Sequence, residues 1–155
     1  MIDRTLIFFC YKKRDAAGKH NVAPSDLCAF LGKKPEYKVW MDSNLAAGVD
    51  WGAEIFENLI PSDVFILAIG EETSESDWVR RELSMAQAFG IRIIPVGLNI
   101  TEEVLHKEMD SLGLANVHYA KSFNTRTGTA EGIADELAEP IRLARNYGLP
   151  DVSSG

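Results

Sequence analysis

Residues 63–70 read DVFILAIG, and the six positions between Asp63 and Gly70 are all apolar. A run this short is read as a strand, and a strand without polar alternation is covered on both faces. Such strands belong to parallel sheets held between two layers of helices. The flanking sequence agrees. Upstream, DWGAEIFENLIP (50–61) sets Trp51, Ile55 and Leu59 on one helical face, with Asp50 as the expected N-cap and Pro61 just past the end. Downstream, Asp77–Phe89 carries a helical pattern that Gly90 stops.

The same alternation extends to both ends of the chain. TLIFFCY (5–11) is the first strand, and APSDLCAFLGKK (23–34) a helix with Pro24 in its first turn and Gly32 as its stop. YKVWM (37–41) is the second strand. IRIIPVGL (91–98) is the fourth, with Pro95 expected at its end or at a bulge. A short helix around Glu102–Leu112, a weaker strand VHYAK (117–121) and a last helix from Thr129 to Tyr147 complete the series. Five strands alternating with helices predict an α/β, flavodoxin-like, three-layer domain: a five-stranded parallel sheet ordered 2-1-3-4-5 with right-handed crossovers. Ligands of such folds bind beyond the carboxyl ends of the strands. Here those ends are 10–14, 42–48, 70–76 and 97–100.

The 155 residues fit one domain, expected over 1–148, with 149–155 (LPDVSSG) as a flexible tail or the start of a linker. A net charge of −7 argues against non-specific binding to nucleic acid or anionic membranes. No apolar run is long enough to cross a bilayer, and Cys10 and Cys28 do not make a disulfide framework. A cytoplasmic protein with reduced thiols is expected. His20, His106 and His118 are scattered, so no metal is assigned.

Trp78 and Glu82 lie four apart, on one helix face at the predicted ligand edge. Spacing alone leaves two readings of Glu82: a solvated charge paired with a nearby cation, or a carboxylate that stabilises an oxocarbenium-like transition state beside an indole wall. Lys12, Lys13 and Arg14 form a cationic run just past the first strand, either a solvated loop or a hold for a pyrophosphate. Neither GxGxxG nor GxxxxGK[ST] occurs, so the common dinucleotide and phosphate cradles are absent. Asp42, in the loop after the second strand, is a capping residue or an acceptor for ribose hydroxyls. A phosphorelay receiver shares this layout, but CYKKRD and AIGEE lack its clustered acids and its aspartate.

Together these stretches resemble the TIR (Toll/interleukin-1 receptor-like) domain family. FFCYKKRD looks like its first box, with Cys10 where Ser is common. VWMDSNLAAGVDW is similar to its second strand and following loop. IFENLIPSDVFILAIGEETSESDWVRREL resembles the central signature, with S-D before the third strand and then S-x-W-x-x-x-E-L, and RIIPVGL completes the likeness. The resemblance, to the bacterial NAD+-cleaving kind in particular, implies an NAD+ nucleosidase with NAD+ as substrate and no cofactor. The products would be nicotinamide and ADP-ribose or a cyclic isomer. It makes Glu82 the catalytic residue and places Cys10, Tyr11, Lys12, Lys13, Asp42 and Trp78 around NAD+. It further implies an immune effector, in anti-phage defence for a bacterial protein, activated by self-assembly with other TIR domains, filaments included. A fused or separate sensor such as a STING-like domain is an expected partner. The competing expectation is a non-enzymatic TIR–TIR interaction module. A nucleoside deoxyribosyltransferase, related in fold and carboxylate chemistry, accounts less well for the S-D strand and its loops.

Overall fold

The computed structural model describes residues 4–12, 23–41, 51–117, 120–123 and 128–146. At its centre lies Val64–Ile69 (β3), buried at every position. Around it, in chain order, are β1 (Thr5–Tyr11), α1 (Pro24–Lys33), β2 (Tyr37–Trp40), α2 (Trp51–Leu59), α3 (Asp77–Ala88) and β4 (Arg92–Leu98). Then follow α4 (Glu102–Ser111), β5 (Lys121–Phe123), α5 (Ala130–Glu136) and α6 (Ala138–Asn146), while a 3-10 turn, Thr73–Glu75, separates β3 from α3. All four strand pairings are parallel and the order is β2-β1-β3-β4-β5, as the sequence predicts.

Strand alternation sorts the core into two layers. Ile7, Phe9, Ile66 and Val96 meet Leu27 and Leu31 of α1, Ile133 of α5 and Ile141 of α6. On the other face Phe8, Cys10, Phe65 and Leu67 meet Ile55 and Leu59 of α2, Val79 and Leu83 of α3, and Leu105 and Met109 of α4. Each fully buried Phe or Leu contributes about 1.5–3 kcal/mol by leaving water, so two such layers supply the main driving force. Asp63 joins β3 to β1 below the ladder. Its N–H donates to Leu6 C=O at 2.8 Å, and its carboxylate accepts from Leu6 N–H at 2.8 Å. That reciprocal pair of hydrogen bonds is the physical content of the Asp in the S-D signature. Ser62 closes α2 alongside, its hydroxyl donating to Asn58 C=O at 2.7 Å.

Four local expectations are corrected. The fifth strand lies at Lys121–Phe123 and shares only Lys121 with the expected stretch. The last helix is two, α5 and α6, interrupted at Leu137; Pro140 has no N–H to offer the carbonyl of Glu136, so an unbroken ladder is impossible there. Helix α1 runs through Gly32 to Lys33. Pro95 sits inside β4 in unbroken register opposite Leu67, with no bulge. It is tolerated because β5 pairs only with Val96–Leu98, which leaves Pro95 with one strand neighbour. The Asp50 cap lies outside the described residues. Among the described residues no helix is long and apolar enough to cross a membrane.

Candidate functional site

Helix α3 is well framed at both ends. Ser76 caps it, its hydroxyl accepting from Val79 N–H at 3.2 Å, and Asp77 in the first turn complements the helix dipole. At the other end Gly90 takes φ +69°, its N–H donating to Gln87 C=O and that of Ile91 to Ala86 C=O. This pair of bonds requires a left-handed residue, which glycine supplies without strain. So fixed, α3 turns Val79, Glu82, Leu83 and Ala86 inward. Glu82 is 1 % exposed. The reading of Glu82 as a solvated surface charge therefore fails.

Trp78, one turn earlier, is half-buried and packs against the same layer. Trp78 Nε1 and Glu82 Oε2 are buried atoms without a hydrogen bond among the described residues, although both residues engage other neighbours. Charged side chains are rarely buried this fully.

The alternation of β1 divides the remaining predicted residues. Cys10 faces the α2–α3–α4 layer, the side on which Glu82 lies. Tyr11 is buried in the opposite layer, its ring 6.1 Å from that of Phe9. Lys12 follows the strand end and is half-exposed. Lys13, Arg14 and Asp42 lie outside the described residues. The fold thus brings Cys10, Trp78 and Glu82 to one side of the sheet and separates the Tyr11 ring from them. The second cysteine is remote in kind as well as place. Cys28 belongs to the α1 layer, its Sγ lies 3.2 Å from Met41 Sδ, and burial pushes its thiol up to about 12.

The loop between β3 and α3 is held by groups that sequence reasoning missed. Thr73, fully buried, accepts from Gly70 N–H at 2.9 Å and donates to Gly70 C=O at 3.0 Å. Ser74 gives its N–H to Glu108 Oε1 at 2.8 Å and its hydroxyl to Glu108 Oε2 at 3.2 Å. Arg80 Nε donates to Ser74 C=O at 2.5 Å, and its terminal nitrogen to Ser111 C=O at 3.1 Å. A signal did exist: Glu108 falls on the same helical stripe as Leu105, Met109 and Leu112, where an acid is out of place. Among the described residues the non-glycine positions with positive φ are Glu72 and Asn99, both just past strands at this edge. Backbone strain of that kind concentrates at functional edges.

An open cleft of about 490 Å³ lies past β4 and β5, lined by Glu71, Asn99, Thr101, Glu102 and Ser122 among others. Two carboxylates make it a poor hold for a pyrophosphate. Among the described residues no three His, Cys, Asp or Glu side chains are grouped to hold a metal.

Comparison with known proteins gives this geometry a family. No curated protein matches the chain. Among solved structures, the TIR domains of the activated Roq1 resistosome directly recognizing the pathogen effector XopQ superpose with a TM-score of 0.63 at 15 % identity. The match covers 87 % of this chain and 98 % of that one, and at such identity it speaks for the fold alone. The family model of the TIR domain matches residues 7–138, from β1 to the first residue of α6. The chain belongs to the TIR domain family.

Proposed function

We propose that this TIR domain cleaves NAD+ at the nicotinamide–ribose bond, as an NAD+ glycohydrolase or cyclase. The observation that carries the reading is the burial of Glu82, a carboxylate 1 % exposed in the strand-end half of α3 with Trp78 beside it. In the reaction the bond from ribose C1′ to the pyridinium nitrogen breaks. Its electron pair goes to that nitrogen and neutralises nicotinamide, so no general acid is needed. The cation left on the sugar is met by water or by a nucleophilic atom of the same ADP-ribose, which then sheds a proton. Glu82 either stabilises the ribosyl cation through space or orients the ribose hydroxyls, and both roles use a charge kept from water.

Trp78 supplies an apolar wall, and Cys10 lines the same side. Lys12 and Lys13 hold the pyrophosphate, and Asp42 accepts from a ribose. The ring of Tyr11 faces the other layer, so its contribution is through the backbone. NAD+ is substrate, and no resident cofactor is required.

Self-association fits the same reading. Phe56 (40 % exposed) and Phe89 (47 %) meet edge to face at 5.6 Å, and Ile60, one turn after Phe56, is 56 % exposed. Clustered exposed apolar side chains favour a protein interface. In the assembled state NAD+ reaches a carboxylate that the isolated domain keeps covered, so assembly switches on an effector of immunity, antiviral in a bacterial host. A STING-like sensor, fused or separate, is one means of imposing assembly, and the cytoplasm is where NAD+ is available. The exposed aromatic pair favours a second reading equally well, a TIR–TIR interaction module without chemistry.

The test is nicotinamide release from NAD+ by concentrated protein with a crowding agent, beside a Glu82→Gln variant. Release by the parent and not by the folded variant supports the glycohydrolase. No release by either, with assembly verified by light scattering, transfers the conclusion to the interaction module.

A further inference from the structure

Resting on the role proposed for Glu82, we infer that Glu108 of α4 is a positioning residue for it, acting through a closed ring of hydrogen bonds. All three polar groups of Ser74 are engaged. Its N–H and hydroxyl go to the two oxygens of Glu108, and its carbonyl accepts from Arg80 Nε. Arg80 returns to α4 through Ser111 C=O. The ring therefore runs from the 3-10 turn to α4, along α4 for three residues, across to α3 and back to the turn. Glu108 and Ser74 are both buried, at 8 % exposure, although 34 residues part them in the chain.

The lever is short. Ser74 stands two residues before the Ser76 cap, and Arg80 stands between Trp78 and Glu82 on the helix itself. A turn free to shift would carry the first turns of α3 with it, and with them both site side chains. The Ser76 side-chain cap alone does not prevent this, since its bond closes on the first turn of α3. Thr73 ties the turn to the end of β3 through Gly70, and contacts that tie it to a neighbouring helix layer come from α4, through Glu108 directly and through Arg80 to Ser111. A carboxylate with two acceptor oxygens suits the task because Ser74 presents two donors side by side. Truncation removes both acceptors and leaves a buried N–H without its partner.

The chemistry yields an ordered set of variants. In Glu108→Gln the amide oxygen still accepts from Ser74 N–H, and its NH2 donates to the Ser74 hydroxyl in place of accepting from it. That variant keeps the ring without its charge. Glu108→Ala breaks the ring on one side, and Ser74→Ala removes only the longer bond.

The experiment measures each variant in the full chain by amide hydrogen exchange over residues 70–82 and by steady-state nicotinamide release. Exchange in that segment is expected to quicken by about tenfold in Glu108→Ala, the factor that corresponds to one net hydrogen bond. Exchange in α6 should stay as in the parent. Turnover per folded molecule should fall by about 10- to 100-fold, the scale of a misplacement near 1 Å, with KM little changed. Glu108→Gln should restore both readouts and Ser74→Ala fall between. Ile133→Ala, a destabilising change in the opposite layer, should lower the melting temperature and leave release per folded molecule unchanged. A folded Glu108→Ala with parental exchange at 70–82 and parental turnover overturns the inference, as does a Gln variant no better than Ala. If the parent releases no nicotinamide, the proposed reaction fails by itself, and the exchange data still decide whether Glu108 sets the turn.

Discussion

Glu82→Gln preserves the volume of the side chain and one of its oxygens while removing its charge, so it isolates the electrostatic contribution of this position. Its expected effect follows from burial. A carboxylate about 4 Å from a developing ribosyl cation is worth about 1 kcal/mol in bulk water and about 4 kcal/mol at the effective dielectric of a protein site. At 1 % exposure the second figure applies. Each ~1.4 kcal/mol is a factor of ten in rate, so turnover should fall by roughly 1000-fold. An exposed glutamate would lose only about fivefold by the same arithmetic. The assay is release of nicotinamide at saturating NAD+, with circular dichroism and a thermal melt to verify the fold. A folded variant within about fivefold of the parent would refute the claim that a buried charge at this position carries the reaction.

On the proposed reading, in which assembly opens the site, specific activity should rise with protein concentration and with crowding; a flat profile from dilute to concentrated protein would sever activity from association. Phe56→Ser with Phe89→Ser removes the exposed aromatic pair and should reduce self-association in light scattering while the melting temperature falls little. Asp63→Ala leaves the Leu6 N–H unsatisfied and should cost about 1–3 kcal/mol in a urea melt with an unchanged m value, whereas Asp63→Asn keeps an acceptor and should cost less. Cys28 should resist alkylation in the native protein at pH 8 and react on unfolding. Its thiol is raised from 9.0 to about 12, so the associated stability is complete below about pH 9 and declines as pH rises toward about 12, where the unfolded chain ionises first. A pH series of urea melts would measure that decline.

The sheet was legible because its signal is local and redundant. DVFILAIG announces a doubly covered strand, and the breakers around it, Pro61 and Gly90, stand where the fold uses them. Glu82 was legible as a candidate from its spacing to Trp78. Its burial was not, since helical periodicity gives a face and leaves open whether solvent or sheet meets it. The ring around Ser74 was hidden for a different reason. It joins residues 34 apart, and only the docking of α4 beside the turn makes Glu108 and Ser74 neighbours. Tyr11 shows the limit from the other side. Adjacent residues of a strand point to opposite faces, so a run of consecutive residues cannot line one pocket with all its side chains. The misplacement of β5 has a similar origin: Lys121–Phe123 is a three-residue strand whose pairing is set by β4, with little intrinsic pattern of its own.

Pro95 has a consequence beyond its own strand. Among the described residues β5 pairs only with Val96–Leu98, so Pro95 has no strand partner on that side, and β2 at the other side of the sheet is four residues long. Long, regular sheet margins recruit strands from other molecules and seed amyloid-like growth. A margin interrupted by proline and a margin too short to template do neither. For a domain whose work is expected to begin when copies crowd together, this separates productive packing from fibrillar precipitation: thioflavin-positive aggregates should stay absent at concentrations that support assembly.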